Sequence, residues 1–309
     1  MKKHLSFFLS ALVAGTLISC GDNTRTAENE TAETQTTESQ APVRLEQAWA
    51  TDSVMRAPES VLYDQGRNLI YVANIGAVNK ESRDGDGFIS RLTPDGQVQD
   101  LKWVTGLNDP KGMGLHNNLL YVTDLSQIVS INAESGAIVR RHDVPGAQFL
   151  NDITFDADGN VYASDSDMRK IFMLSSNGQA SEWISETKEE RPNGLLKEDN
   201  RMISADFGSG NIRFIDPQTK EYTDWASGIP GADGIASDGQ GGYFISSWHG
   251  ELHYVNEEGQ RWEVLNTREQ KINAADIDYI QRDNLLLVPT FFDNRVVAYE
   301  VRRQAVSQR

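Results

Sequence analysis

From Pro58 to Val301 the chain reads as short runs of β-branched and aromatic residues separated by clusters of Asp, Gly, Asn and Pro. Runs of this kind, too short for helices and bounded by turn residues, predict strands. No long helical periodicity appears after residue 43, which argues against an α/β domain. One unit recurs six times: a polar or small residue opens a short strand, a polar turn follows, and then comes a strand such as LIYVAN, LLYVTD, VYASD, RMISAD, YFISS or LLLVPT. The opening residues are Glu59, Lys111, Asn151, Asn193, Asp233 and Ala275, spaced 52, 40, 42, 40 and 42 positions apart. A period of about 40–45 residues is that of a four-stranded propeller blade.

The second half of each period supplies two outer strands around a Gly- or Pro-bearing turn, as in GFISRLTPDGQVQDLKWV or NIRFIDPQTKEYTDWA. The sixth period has only three strands of its own, ending in RVVAYEV from Arg295 to Val301. The segment Val43 to Thr51 has no local partner and is expected to complete that blade. The expected fold is therefore all-β: a six-bladed β-propeller of four-stranded antiparallel blades over residues 43–303, closed by an N-terminal strand in the last blade, with a short tail at 304–309.

The N-terminus changes the picture of where this domain works. Lys2 and Lys3 precede an apolar run from Leu5 to Ile18 that is short for a bilayer span and typical of a signal peptide. It ends in Leu17-Ile18-Ser19-Cys20, which resembles a bacterial lipobox and implies cleavage after residue 19 and lipidation of Cys20. Cys20 is the only cysteine, so no intrachain disulfide exists, and lipidation gives the unpaired thiol a purpose. Residues 21–42 contain no aromatic or large aliphatic residue and read as a disordered tether. The expectation is a cell-envelope protein held to a bacterial membrane by its lipid alone.

The chain carries 29 basic and 45 acidic residues, a net charge of −16. No basic cluster stands against this background, which excludes nucleic acid as an expected partner. A small-molecule substrate and a monomeric protein are expected instead.

The innermost strands of a propeller run in one direction along the central channel, so their first residues form a ring at one mouth. Glu59, Asn151, Asn193 and Asp233 make an all-oxygen set suited to a hard cation, Ca²⁺ first, with Mg²⁺ or Mn²⁺ as alternatives. Turn-forming Asn-Gly and Asp-Gly pairs are the competing explanation for the same residues. Lys111 also stands in the ring. It can point away, pair with Glu59, or replace a cation by balancing Glu59 and Asp233.

Pro58-Glu59, Asn151-Asp152, Pro192-Asn193-Gly194 and Asp233-Gly234, one per blade and in that order, resemble the gluconolactonase/regucalcin (senescence marker protein) family over roughly residues 44–302. The resemblance implies a divalent cation on Glu59, Asn151, Asn193 and Asp233, with Asp233 also as base or nucleophile. Sugar-lactone members carry an arginine shortly before the Asn-Asp pair, whereas Gln148-Phe149-Leu150 precede it here.

Loops after each second strand return to the same mouth. They bring Trp248 and His249 from blade five and Phe291-Phe292-Asp293 from blade six. His249 is a candidate acid or base, and Lys111, Asp152, Trp248 and Phe292 are candidates for substrate contact. The long loop from Ile75 to Gly87 is a candidate lid, and Asp84-Gly85-Asp86-Gly87 within it reads as a turn. The function expected is metal-dependent hydrolysis of a lactone or related ester; the alternative is a non-catalytic propeller that binds a peptide, glycan or partner protein.

Overall fold

The computed structural model describes residues 40–78 and 83–304. The expected signal peptide, Cys20 and the tether up to residue 39 lie outside the described residues, as do residues 79–82 of the candidate lid. Among the described residues no helix is long and apolar enough to cross a membrane.

After β1 (Val43–Ala50) the strands follow in blocks of four. Blade one is β2 (Pro58–Asp64), β3 (Leu69–Asn74), β4 (Gly87–Leu92) and β5 (Val98–Leu107). Blade two is β6 (Pro110–His116), β7 (Leu119–Asp124), β8 (Gln127–Asn132) and β9 (Ile138–Asp143). Blade three is β10 (Leu150–Phe155), β11 (Val161–Asp165), β12 (Lys170–Leu174) and β13 (Ala180–Ile184). Blade four is β14 (Pro192–Lys197), β15 (Met202–Asp206), β16 (Ile212–Ile215) and β17 (Tyr222–Ala226). Blade five is β18 (Ala232–Ser237), β19 (Gly242–Ser247), β20 (Glu251–Asn256) and β21 (Arg261–Asn266). Blade six is β22 (Asp278–Ile280), β23 (Leu285–Thr290) and β24 (Arg295–Arg303), with β1 on its outer edge.

β1 lies antiparallel to β24, from Val43 opposite Arg303 to Ala50 opposite Val297. The chain thus closes its ring by joining its first strand to its last, as the unpartnered N-terminal segment predicts. The core sits between neighbouring blades. Tyr71, Ile89 and Val104 of blade one, for example, pack with Leu120, Val129 and Ile131 of blade two. Each sheet is thereby covered on both faces, which is why the inner strands read as nearly continuous apolar runs.

Candidate active site at the channel mouth

Two local devices set the ring. The first is a bulge. In β10 and β11 the register passes from Leu150 opposite Asp165 to Ile153 opposite Ala163, leaving one extra residue on the inner strand. The same shift occurs between Pro58 and Ser60, Pro110 and Met113, Pro192 and Leu195, and Ala232 and Ile235. A bulge re-aims the side chains beside it, and here the residues beside it are the ring residues of five blades. The second device is a carboxylate at the end of a second strand. Asp165 accepts the N–H groups of Gln148 and Phe149, Asp206 those of Glu190 and Arg191, and Asp124 those of Asn108 and Asp109. Each pins the segment that leads into its own blade's innermost strand.

Gly194 and Gly234 have a different purpose from the turn chemistry their Asn-Gly and Asp-Gly contexts suggest. A Cβ on Gly194 would lie 2.0 Å from the Asp233 carbonyl oxygen, and one on Gly234 would lie 2.4 Å from Asp276 Oδ1. These glycines let adjacent blades approach closely at the channel.

The mouth is a cavity of about 160 Å³ lined by Glu59, Lys111, Asn151, Asn193 and Asp233, by the aromatic rings of Phe149, Phe207, Trp248 and Phe291, and by Ser166 and Arg191. Lys111 Nζ donates to Glu59 Oε1 at 2.9 Å and stands 4.8 Å from the centre of the Phe149 ring. Glu59 Oε2, Asn193 Oδ1 and Asp233 Oδ1 are buried without a hydrogen-bond partner. Burial raises the Glu59 pKa against the opposing pull of Lys111. Burial, then repulsion from Glu59, raises that of Asp233 well above the ordinary aspartate value.

One layer below are residues whose part in the site was only half legible. Asp152 does not line the cavity; its carboxylate accepts the N–H groups of Ile153 and Leu195, both at 2.6 Å, while burial pushes its pKa up to about 7. Asp276 of blade six is not singled out by the ring offset, which falls on Ala275. It is buried, accepts the Ser60 hydroxyl at 2.8 Å, and has its pKa raised well above the usual range by burial and then by Asp152 and Asp233. The match of Ala275-Asp276 to Asn151-Asp152 is the signal available for it. Arg191 and Phe207 were also missed, because each follows from how blade four packs rather than from a repeated motif.

The rim residues divide. Trp248 lines the cavity and packs on Phe291, with ring centroids 4.8 Å apart. Phe292 lies farther out, largely exposed against Trp248 and Phe291. The His249 ring rests against Gly231, and His249 is not among the lining residues. In the candidate lid, Asp86 accepts the Ala77 N–H at 2.8 Å and Asp84 that of Asp86 at 3.2 Å, the bonding of a turn.

No family model and no curated protein matches the chain in sequence. Solved structures do match it in shape. A candidate gluconolactonase superposes with a TM-score of 0.66 at 16% identity, over 87% of this chain and 96% of that one. The fold shared with it is the six-bladed propeller. Virginiamycin B lyase from Staphylococcus aureus, as a catalytically inactive variant with quinupristin, gives 0.60 at 14% identity over 84% and 99% of the two chains. A streptogramin B lyase gives 0.61 at 12% identity over 84% and 98%. At these identities the likeness is one of fold, and the chemistry rests on the side chains of the mouth.

Proposed function

We propose that this propeller is a hydrolase of lactones or related esters, with a divalent cation, Ca²⁺ foremost, held by Glu59, Asn151, Asn193 and Asp233. The observation that carries this reading is the trio of unpartnered buried oxygens on three different blades. Buried polar atoms are nearly always satisfied, and a hard cation satisfies carboxylate and carboxamide oxygens together. Among the described residues no three His, Cys, Asp or Glu side chains converge on a metal site, so the set depends on its two carboxamides. Ser166 accepts from Asn151 Nδ2 at 3.3 Å, which orients that amide. When bound, such a cation polarises a carbonyl and stabilises negative charge developing on its oxygen.

The chain's own groups supply the rest. Asp233, which faces the cavity, takes a proton from the attacking water and returns it to the leaving oxygen. The Phe149, Phe207, Trp248 and Phe291 rings limit water around the substrate. His249, beside the cavity rather than in its wall, has no part in this reading.

The test is a panel of lactones and aryl esters assayed with added Ca²⁺ and with chelator. Chelation should abolish turnover, and Asp233→Asn should lower kcat by about 100-fold or more. Activity indifferent to both treatments would remove the proposal. The Lys111–Glu59 ion pair favours a second reading, a binding propeller whose mouth is partly plugged by its own lysine. Hydrolysis by none of the panel together with no response to Ca²⁺ would select it.

A further inference from the structure

We propose that the substrate is a small, largely apolar or aromatic ester or lactone bearing one carboxylate, and that Arg191 binds that carboxylate. This rests on the hydrolase reading and narrows it. Beside the polar residues of the ring, four aromatic side chains, Phe149, Phe207, Trp248 and Phe291, supply much of the cavity wall. These rings match an apolar or aromatic group better than a polyhydroxylated sugar ring, whose hydroxyls would lose water against carbon there. Ser166, the one hydroxyl in the lining, already donates to the Pro192 carbonyl at 2.7 Å.

Two cations face the cavity. Lys111 is committed to Glu59 at 2.9 Å. Arg191 is not committed in this way. Its backbone N–H is fixed by Asp206 at 2.9 Å, which places the residue at the entry to β14, and its guanidinium lies 5.1 Å from the Phe207 ring centre. Among the described residues its one side-chain hydrogen bond is a 3.4 Å contact to the exposed Asp167. An exposed pair of this length is weak, so the planar guanidinium keeps donors for a ligand. A guanidinium stacked on an aromatic face matches a carboxylate two bonds at a time. One arginine above a floor of buried carboxylates matches a monoanion better than a multiply charged group.

The test compares phenyl acetate with 4-acetoxybenzoate, using the full chain as wild type, Arg191→Gln and Arg191→Lys in excess Ca²⁺. Wild type should favour the carboxylated ester by about tenfold in kcat/KM, a typical return for one charge-assisted contact. The ratio should fall to near one in Arg191→Gln, through KM, and be partly kept in Arg191→Lys. A wild-type ratio of one or less, or a ratio unchanged in Arg191→Gln, overturns the inference. If Arg191→Gln does not fold, the wild-type ratio and its decline with added salt decide. If neither ester is hydrolysed, the hydrolase reading fails separately and calorimetry with benzoate still decides the subsite. Benzoate binding by wild type that is lost in Arg191→Gln upholds it, and absence of binding overturns it.

Discussion

Asp278 keeps some accessible surface, but its carboxylate lies within packed protein, where it accepts the N–H groups of Tyr63 and Tyr279, both at 2.7 Å. Burial nevertheless pushes its pKa up to about 6. The folded chain therefore holds this proton at pH values where the unfolded chain has released it. The stability it confers is complete below the ordinary aspartate pKa and is lost as pH rises through about 6. Asp278→Asn removes the titration. The melting-temperature difference between wild type and variant should thus be most favourable to wild type near pH 4 and shrink by a few degrees toward pH 8. A difference that is flat or that widens with pH would contradict this account of Asp278.

β1 carries the closure of the ring. Its pairing with β24 is reinforced where Thr51 N–H donates to the Val296 carbonyl and Val296 N–H to the Thr51 hydroxyl. Val43 joins a core shared by blades five and six, and Arg303 at the end of β24 donates to Asp238 at 2.7 Å in blade five. Removing residues through 42 leaves this intact, whereas removing residues through 51 exposes the edge of β24 and opens that core. The longer deletion should melt about 10 °C or more below the shorter, or fail to fold. Equal melting temperatures by circular dichroism would show that β1 is dispensable. The bulges on the inner strands act at this level too: each displaces one residue of a strand so that a polar side chain enters the channel without disturbing the pairing beyond it.

Taken together, the channel gathers Glu59, Asp152, Asp233 and Asp276, four buried carboxylates whose ionisations oppose one another, against one ammonium, Lys111. Such an assembly needs protons, a cation, or both. With a Ca²⁺ site, excess Ca²⁺ should stabilise wild type by about 2.7 kcal/mol at a hundred times Kd, roughly 5–10 °C for a chain of this size. Lys111→Met should bind Ca²⁺ as tightly or more so, because a repelled charge has gone. If Lys111 is instead the native counter-charge, Ca²⁺ will not shift the melting of wild type, and Lys111→Met will be markedly destabilised in chelator. Melting curves of both proteins in excess Ca²⁺ and in chelator separate the alternatives.

The period of 40–42 residues in four of its five intervals, the strand runs and the unpartnered segment after residue 42 were enough to set the fold, because a blade is a local unit and its repeat is written along the chain. Ring membership was legible for the same reason: Glu59, Lys111, Asn151, Asn193 and Asp233 stand at one offset in successive blades. The pairing of Lys111 with Glu59, the depth of Asp152 below the mouth, the entry of Asp276 and the convergence of Arg191 with four aromatic rings were decided by packing between blades. Those contacts join residues tens to hundreds of positions apart, and they depend on the close approach that Gly194 and Gly234 permit. Residue spacing along one strand carries the offset of a side chain; only the angle and distance between neighbouring sheets fix which side chains from different strands share a space.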